Sequence, residues 1–329
     1  MKLLPLLACL VITVTSGAVA APQAGARRIT IASSVRLRSA PATTASVVAT
    51  LQVGVVLDEL GRSDAPVRVG DQEDYWYKVK SPVGATGWVF GALTRAVDTD
   101  ILDDAYLRIA RDRLDSQTLV LGDWIDLYGM LGRAAAGART RDARAELECD
   151  RLRVLGRAMY AVEDGKKGQE PFRGFLASVK DQVVYSEPAG VWLVMSERYW
   201  KLYDAYRDTS YAEHIAWHAA ENELPGECEG DEECTLTAFL QMEGRYITLY
   251  PKGEFVPDAL KNLDELLNSL VEYGAISSVD RTVDNATTAQ WKADARKALA
   301  STRATVELVD NPLKPSLLEK IAALDQKLQ

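Results

Sequence analysis

The sequence predicts a multidomain protein, with a small all-β barrel followed by an all-α helical domain, and three observations support this fold class. From about Arg28 to Val97 the hydrophobic residues alternate with a period close to two, and beyond Asp98 the period becomes that of helices. Frequent glycine and proline turns divide the first part into short segments, as in a small barrel. A length of 329 residues, of which 47% are hydrophobic, is enough for about two domains.

Residues 1–20 have the features of a secretory signal peptide. Lys2 precedes an apolar run, and Ala18-Val19-Ala20 offers signal peptidase a small-x-small site. We therefore expect a mature chain that starts near Ala21 and is exported to the periplasm or the extracellular space. A lipoprotein cleavage before Cys9 is the alternative, but it would leave too short an apolar run. No later segment approaches the roughly 20 apolar residues of a membrane helix, so the mature chain should lack an integral membrane segment.

The predicted barrel domain spans residues 28–97. In the segment Val35–Arg38, Val35 and Leu37 share one face of a strand and the two arginines share the other. Gly54 suits a tight turn that needs a positive φ. The other predicted strands are 30–32, Val47–Leu51, 55–60, 75–80 and 88–93.

Four short blocks occur in a specific order along this domain. They are VRLRSAP from Val35, LQVG from Leu51, WYKV from Trp76 and GWV from Gly87. Together they resemble the bacterial SH3-like (SH3b) domains over about a fifth of the chain. The resemblance implies a cell-envelope module that in some members binds peptidoglycan, and it does not imply catalysis. An insertion at 61–74 departs from the family pattern.

The candidate ligand-binding residues are aromatic or basic and lie around the last hairpin of the barrel. Strand alternation places Trp76, Lys78 and Lys80 on the face opposite Tyr77. If exposed, they would form a groove for an acidic or peptide-like ligand. The alternative is that the tryptophans fill the core, which we favour for Trp88, whereas the pattern does not decide for Trp76. The complete candidate set is Tyr75, Trp76, Lys78, Lys80 and Trp88.

The predicted helical domain spans residues 98–329 and begins at the helix-start signal Asp98-Thr99-Asp100. Amphipathic periodicity predicts helices at 119–133 and 143–162, with connections at 134–137 and 165–168. The segment 182–194 is a strand-like exception, because its proline and glycine would break a helix.

Part of the helical domain contains an internal echo. Residues 206–216 align without a gap with residues 250–260, an offset of 44 residues from Tyr206 to Tyr250. Each copy combines a helix that ends in an aromatic residue, a short turn, a second aromatic residue and a new helix. The second copy resembles the helical junction of exported tetratricopeptide-like proteins, which predicts a repeat-like region around 199–272. A generic helical bundle is the alternative.

Two histidines and one glutamate form a candidate metal site. His214, His218 and Glu221 align along one helical face, and two imidazoles with a carboxylate can hold zinc. Ile215 follows His214, so the general base of the His-Glu-x-x-His pattern is missing. Polar contacts between helices are the alternative role for these side chains.

Three cysteines remain after the predicted signal peptide. Cys228 and Cys234 bracket a short acidic loop, and we predict a disulfide between them that contributes about 2 kcal/mol. The acidic residues around them could suggest calcium, but their spacing does not match a calcium loop, and a solvated loop is the simpler interpretation. Cys149 lies in a helical segment and is expected to be a buried free thiol.

The sequence favours a non-catalytic exported envelope protein that binds peptidoglycan peptide or an envelope protein, with a helical scaffold for protein interaction. The chain has no Gly-rich phosphate loop and no G-x-S-x-G motif, and no cofactor is predicted. A net charge of −9 argues against nucleic acid as a partner. One alternative is a metal-dependent cell-wall hydrolase that uses His214 and His218. The other is an assembly scaffold whose barrel binds nothing.

Overall fold

The computed structural model describes residues 26–162, 166–228, 231–273 and 285–329. They form two compact units, the first with residues 26–51 and 55–99 and the second with residues 52–54 and the described residues from Asp100 onward. The predicted signal peptide at 1–20 lies outside the described residues, and the predicted domain limits 28–97 and 98–329 stay predictions. Within the described ranges, no helix is both long enough and apolar enough to cross a membrane.

The first unit is built from short antiparallel strands. Seven of them form one sheet in the order β3-β2-β8-β7-β4-β1-β9, and β5 pairs with β6 in a separate hairpin. The strands are β1 (Arg27–Thr30), β2 (Val35–Arg38), β3 (Val47–Leu51), β4 (Val56–Arg62), β5 (Val67–Val69), β6 (Gln72–Asp74), β7 (Trp76–Lys80), β8 (Thr86–Phe90) and β9 (Thr94–Val97). The predicted β-rich, SH3-like first part is confirmed.

One face of each central strand supplies the core of this unit. On β2, Val35 and Leu37 are buried and Arg36 is exposed, as the alternation predicts. Each fully buried Val or Leu contributes about 1.5–3 kcal/mol, so this cluster stabilises the sheet against its own backbone entropy. The buried cluster consists of Val35, Leu37, Leu51, Leu57, Val79 and Val89.

The insertion at 61–74 contains the β5–β6 hairpin, which the sequence did not predict. Val69 and Gln72 pair across a two-residue turn, and Gly70 has a φ of 60°. Glycine adopts this left-handed conformation without a steric penalty, so Gly70 permits the tight turn.

The second unit is mostly helical. Its one described pair of strands is the hairpin of β10 (Val183–Ser186) and β11 (Val191–Val194), which lies where Pro188 and Gly190 interrupt the helical pattern. The domain that was predicted to be all-α is therefore mostly helical but also contains one β-hairpin. The helices are α1 (Leu102–Leu114), α2 (Leu121–Gly137), α3 (Arg141–Tyr160), α4 (Phe172–Val179), α5 (Ser196–Tyr206), α6 (Ala212–Ala220), α7 (Glu232–Gln241), α8 (Glu243–Leu249), α9 (Val256–Tyr273), α10 (Asn285–Glu307) and α11 (Lys314–Lys327).

The predicted connection at 134–137 is wrong, because α2 continues through these residues to Gly137. Three of the four residues are alanines, which have the highest intrinsic helix propensity. The chain leaves the helix at Ala138, which is extended, and Thr140 then caps α3 by accepting a hydrogen bond from the Ala143 N–H.

The two copies of the internal echo have corresponding helix boundaries. Helix α5 ends at Tyr206 and α6 follows Tyr211, while α8 ends just before Tyr250 and α9 follows Phe255. In each copy, the two aromatic residues therefore flank a turn between two helices.

A single carboxylate joins the first copy to the turn of the second. Oε1 of Glu213 on α6 accepts hydrogen bonds from the Tyr246 hydroxyl at 2.8 Å and from the Glu254 N–H at 2.6 Å. The Tyr246 oxygen in turn accepts a hydrogen bond from the Phe255 N–H at 3.0 Å. A Cβ at Gly253 would collide with the Glu213 carboxylate and the Tyr246 hydroxyl, so this close approach requires glycine.

Candidate functional site

A row of basic and aromatic side chains crosses the outer face of the barrel sheet. Trp88 on β8 lies directly opposite Arg38 on β2 and opposite Lys78 on β7. Residues paired in this way project from the same face of a sheet, here the face opposite the buried Val79 and Val89. Lys78 is exposed, and Arg38 and Trp88 are partly buried.

Lys80 extends this row along β7. It is exposed, and its cross-strand neighbours are Thr86 on β8 and Asp58 on β4. Asp58 itself forms an ion pair with Arg27 at 3.3 Å. We name the surface formed by Arg38, Lys78, Lys80 and Trp88 the Trp88 strip.

Gly87 sets the position of Trp88. A Cβ at Gly87 would lie 2.6 Å from the Arg38 carbonyl oxygen and 2.8 Å from the Leu37 side chain. Strand β8 can therefore approach β2 closely only with glycine at this position, and the next residue, Trp88, then turns to the outer face.

The structure reverses the expectation for Trp88, which the sequence favoured as a core residue, and buries Trp76, for which the sequence did not decide. Trp76 is only 2% exposed and packs against Phe90 with ring centroids 5.6 Å apart, whereas Trp88 is partly exposed and lies outside the buried cluster. Ser63 of the insertion binds both main-chain groups of Trp76. Trp76 is therefore a packing residue in this structure and does not contribute to the Trp88 strip.

Tyr75 also lies apart from the strip. It precedes β7, is partly buried, and carries the Arg62 guanidinium over its ring at 4.3 Å. Tyr77, its neighbour on the same face, carries the Arg28 guanidinium at 3.5 Å. These cation–π contacts occupy one face of each ring. Of the five predicted ligand residues, the structure brings Lys78, Lys80 and Trp88 together.

The histidines of the second unit have separate surroundings. His214 stacks on Tyr211 at 4.8 Å between ring centroids and meets Phe255 edge-on at 5.3 Å, and its Nδ1 is buried without a hydrogen-bond partner among the described residues. His218 Nδ1 instead lies 2.6 Å from Glu221 Oε1. Across the described ranges, no group of three His, Cys, Asp or Glu side chains is placed to hold a metal ion. The predicted three-ligand set His214, His218 and Glu221 is thus not assembled.

The cysteines are placed as predicted. Cys228 and Cys234 form a disulfide with a Cα–Cα distance of 5.5 Å, and Cys149 is a buried free cysteine. Burial raises the pKa of the Cys149 thiol well above its ordinary value, so the thiol stays protonated and is a poor nucleophile.

A cavity of about 290 Å³ lies between α3, β11, α5 and α6, and we name it the His218 cavity. The sequence did not predict it. Its lining includes Arg153, Tyr160, Trp192, Tyr199, His218 and the segment 221–223. These residues come from four separate elements, so no local motif marks the site. The one sequence signal was the strand-like segment 182–194, which supplies Trp192.

A larger, more open cavity of about 620 Å³ adjoins the His218 cavity and shares residues 221–223 with it. Four glutamates line it, and none of its described lining residues is basic. Burial raises the pKa of one of them, Glu243. Asn222 fixes the shared wall by donating hydrogen bonds to the Val194 carbonyl at 2.9 Å and the Ser196 hydroxyl at 2.7 Å.

Comparison with known protein families identifies the first unit. Residues 33–94 match the family model of the bacterial SH3 domain. This match covers the four sequence blocks and the Trp88 strip, and it suggests a cell-wall or peptidoglycan-binding module. Bacterial SH3 domains of this type are typically extracellular or periplasmic.

No curated protein and no solved structure matches the chain. The resemblance of the helical part to tetratricopeptide-like proteins therefore has no support beyond the sequence echo, and it stays a prediction.

Proposed function

We propose that this chain is a non-catalytic, exported cell-envelope protein whose barrel binds the peptide part of peptidoglycan through the Trp88 strip. The observation that carries the proposal is the cross-strand row of Arg38, Trp88 and Lys78 on the outer face of a domain that matches the bacterial SH3 family. The helical unit would serve as a scaffold for other envelope proteins.

The chemistry of the strip fits a peptide that carries carboxylates. Guanidinium and ammonium groups form charge-assisted hydrogen bonds with carboxylates, and the indole of Trp88 between them offers an apolar surface for a peptide side chain or backbone. The whole chain has a net charge of −9, so attraction to carboxylates must come from local basic surfaces such as this one.

The direct test is cosedimentation of the chain without residues 1–20 with purified, protein-free peptidoglycan sacculi. We expect the wild type to sediment and Trp88→Ala to lose about 2 kcal/mol of binding free energy, or about 30-fold in affinity, because a central tryptophan is a typical hot spot. Circular dichroism would verify that the variant is folded.

Arg68→Gln is the matched control, because Arg68 is an exposed cation on β5 in the separate hairpin. We expect it to bind sacculi like the wild type. If folded Trp88→Ala also sedimented like the wild type, the strip would not be the binding surface. If the wild type did not sediment at all, a protein partner would replace the wall as the target of the barrel.

A further inference from the structure

We propose that the His218 cavity in the helical unit binds a single neutral sugar ring. This site lies outside the matched bacterial SH3 region, and the proposal does not depend on wall binding by the barrel.

The first support is a buried polar group that lacks a partner. Tyr199 lines the cavity and is only 4% exposed, yet its hydroxyl has no hydrogen-bond partner among the described residues. Because Tyr199 lines the cavity, a ligand held there is placed to reach this hydroxyl. Burial raises the pKa of Tyr199 well above its ordinary value, which keeps the phenol a hydrogen-bond donor. A buried donor without a partner costs free energy unless a ligand or water accepts its hydrogen bond.

The second support is the free nitrogen of His218. Its Nδ1 is bonded to the Glu221 carboxylate at 2.6 Å, whereas Nε2 has no partner in the part of the chain that the structure describes. In the neutral imidazole whose Nδ1 donates to the carboxylate, Nε2 carries a lone pair and accepts. The cavity therefore combines a donor from Tyr199 with an acceptor from His218, and a hydroxyl group can satisfy both kinds of partner.

The charges around the cavity favour a neutral ligand. Arg153 Nη1 pairs with the buried Asp150 Oδ1 at 2.8 Å. Of the two lining glutamates, Glu221 is bonded to His218 and Glu223 accepts a hydrogen bond from the Tyr160 hydroxyl. Because each of these ionised groups already has a partner, an ionic ligand would have to displace an existing contact, whereas a polyhydroxylated ring would not.

The shape and the aromatic lining indicate a single ring. Trp192 lines the cavity and packs against Tyr185 with ring centroids 5.3 Å apart. The negative face of an aromatic ring attracts the polarised C–H groups on the apolar face of a sugar. A volume of about 290 Å³ is just below the range of about 300–1,000 Å³ for small-molecule sites, which suits one ring rather than a chain.

The test is titration of the chain without residues 1–20 with glucose, galactose, mannose and N-acetylglucosamine, followed by heteronuclear NMR. We expect at least one sugar to bind with a Kd on the order of 1 mM and to shift the resonances of Tyr199 and Trp192. Lysine and acetate, which are charged, should not shift these resonances.

Two variants and one control identify the site. Tyr199→Phe should weaken sugar binding about tenfold and leave the midpoint of thermal unfolding unchanged, because the lost hydroxyl has no hydrogen-bond partner in the described part of the chain. Trp192→Ala should weaken binding by a similar factor or more. Tyr185→Phe removes a tyrosine hydroxyl outside the cavity lining and should bind like the wild type.

The proposal is overturned if none of the four sugars shifts these resonances, or if folded Tyr199→Phe retains the wild-type affinity. It is also overturned if lysine or acetate binds in the cavity in place of the sugars. Failure of Trp192→Ala to fold would leave Tyr199→Phe as the deciding variant. Introducing Trp88→Ala should not change sugar binding, so this test and the wall-binding test can fail separately.

Discussion

At the scale of single residues, the side chain of Tyr246 makes hydrogen bonds that connect the two copies of the internal echo. It is completely buried, donates to Glu213 and accepts from the Phe255 N–H. Burial raises the pKa of Tyr246 far above its ordinary value, and the hydrogen bond to Glu213 raises it further by a smaller amount. The phenol therefore remains a hydrogen-bond donor at all physiological pH values.

We expect Tyr246→Phe to lower the free energy of unfolding by about 1–3 kcal/mol, because the partly buried Phe255 N–H and Glu213 carboxylate would each lose a hydrogen-bond partner. Urea unfolding monitored by circular dichroism would measure this loss. Tyr250→Phe is the control, since the Tyr250 hydroxyl makes one long contact of 3.5 Å to Tyr203 and its loss should cost much less. Equal losses in the two variants would contradict the assigned role of Tyr246.

Asp150 on α3 gives a pH-dependent prediction at the same scale. Burial raises its pKa above the unfolded value of about 3.9, even though Arg153 lies beside it. The contribution of Asp150 to stability is therefore fully present below the unfolded pKa and is lost as the pH rises through the raised folded pKa. We expect Asp150→Asn to gain stability relative to the wild type as the pH rises from about 4 to about 7, as measured by urea unfolding.

Asp142→Asn is a control of opposite sign. Hydrogen bonds from the Ser210 hydroxyl and N–H lower the pKa of Asp142, so this carboxylate contributes stability above its unfolded pKa. That contribution is lost as the pH falls through the unfolded value of about 3.9 toward the lowered folded pKa, so the Asp142 variant should lose stability relative to the wild type as the pH rises from about 2 to about 4. A pH trend of the same sign in both variants would refute the assignment for Asp150.

At the scale of elements, the N-terminus of α7 depends on one carboxylate. Asp231 caps the helix by accepting from the Cys234 N–H at 2.6 Å, and its other oxygen accepts from the Trp291 indole on α10 at 2.9 Å. The Cys228–Cys234 disulfide closes the chain around the same cap. The cap, the disulfide and the contact with α10 thus stabilise one helix end together.

We expect Asp231→Ala to destabilise the protein by about 1–2 kcal/mol through loss of the cap, with a further loss from the unpaired Trp291 indole. Asp258→Ala is the control, because Asp258 lies exposed in the first turn of α9 and loses only an interaction with the helix dipole, about 0.3–1 kcal/mol. Differential scanning calorimetry would compare the two, and a smaller effect for Asp231→Ala would exclude it as the main cap.

At the scale of the whole molecule, a basic strip belongs to an acidic chain with 47 acidic and 38 basic residues. Raising the salt concentration from 0.1 M to 1 M shortens the Debye length from about 10 Å to about 3 Å and screens both the local attraction and the overall repulsion. The sign of the salt effect on wall binding therefore reports which of the two is larger.

We expect binding of the wild type to sacculi to weaken over this range of salt, and binding of the Lys78→Gln/Lys80→Gln variant to be weaker at low salt but less sensitive to salt. Cosedimentation at several salt concentrations would measure both slopes. If binding of the wild type strengthened with salt, repulsion by the whole chain would dominate and the strip would not be an electrostatic contact.

The sequence predicted those features of the fold that depend on local periodicity. The alternation of Val35 and Leu37 with arginines located β2 and its buried face, and the helical boundaries near Tyr206 and Tyr250 were visible in the echo. The burial of Trp76 and the partial exposure of Trp88 were not, because they depend on cross-strand neighbours, on Ser63 of the insertion and on the close approach at Gly87. The His218 cavity was missed for the same reason, since its residues meet only in the folded chain.

The contact between Glu213 and the turn before α9 also limits how the helical region can be extended. Pro257, 44 residues after Glu213, occupies the corresponding position in the second copy. Its side chain has no oxygen to accept a hydrogen bond. A third copy could not dock onto the second through the same contact. The Glu213 contact thus runs in one direction, from α6 of the first copy to the turn of the second, and Pro257 cannot make the same contact in its turn.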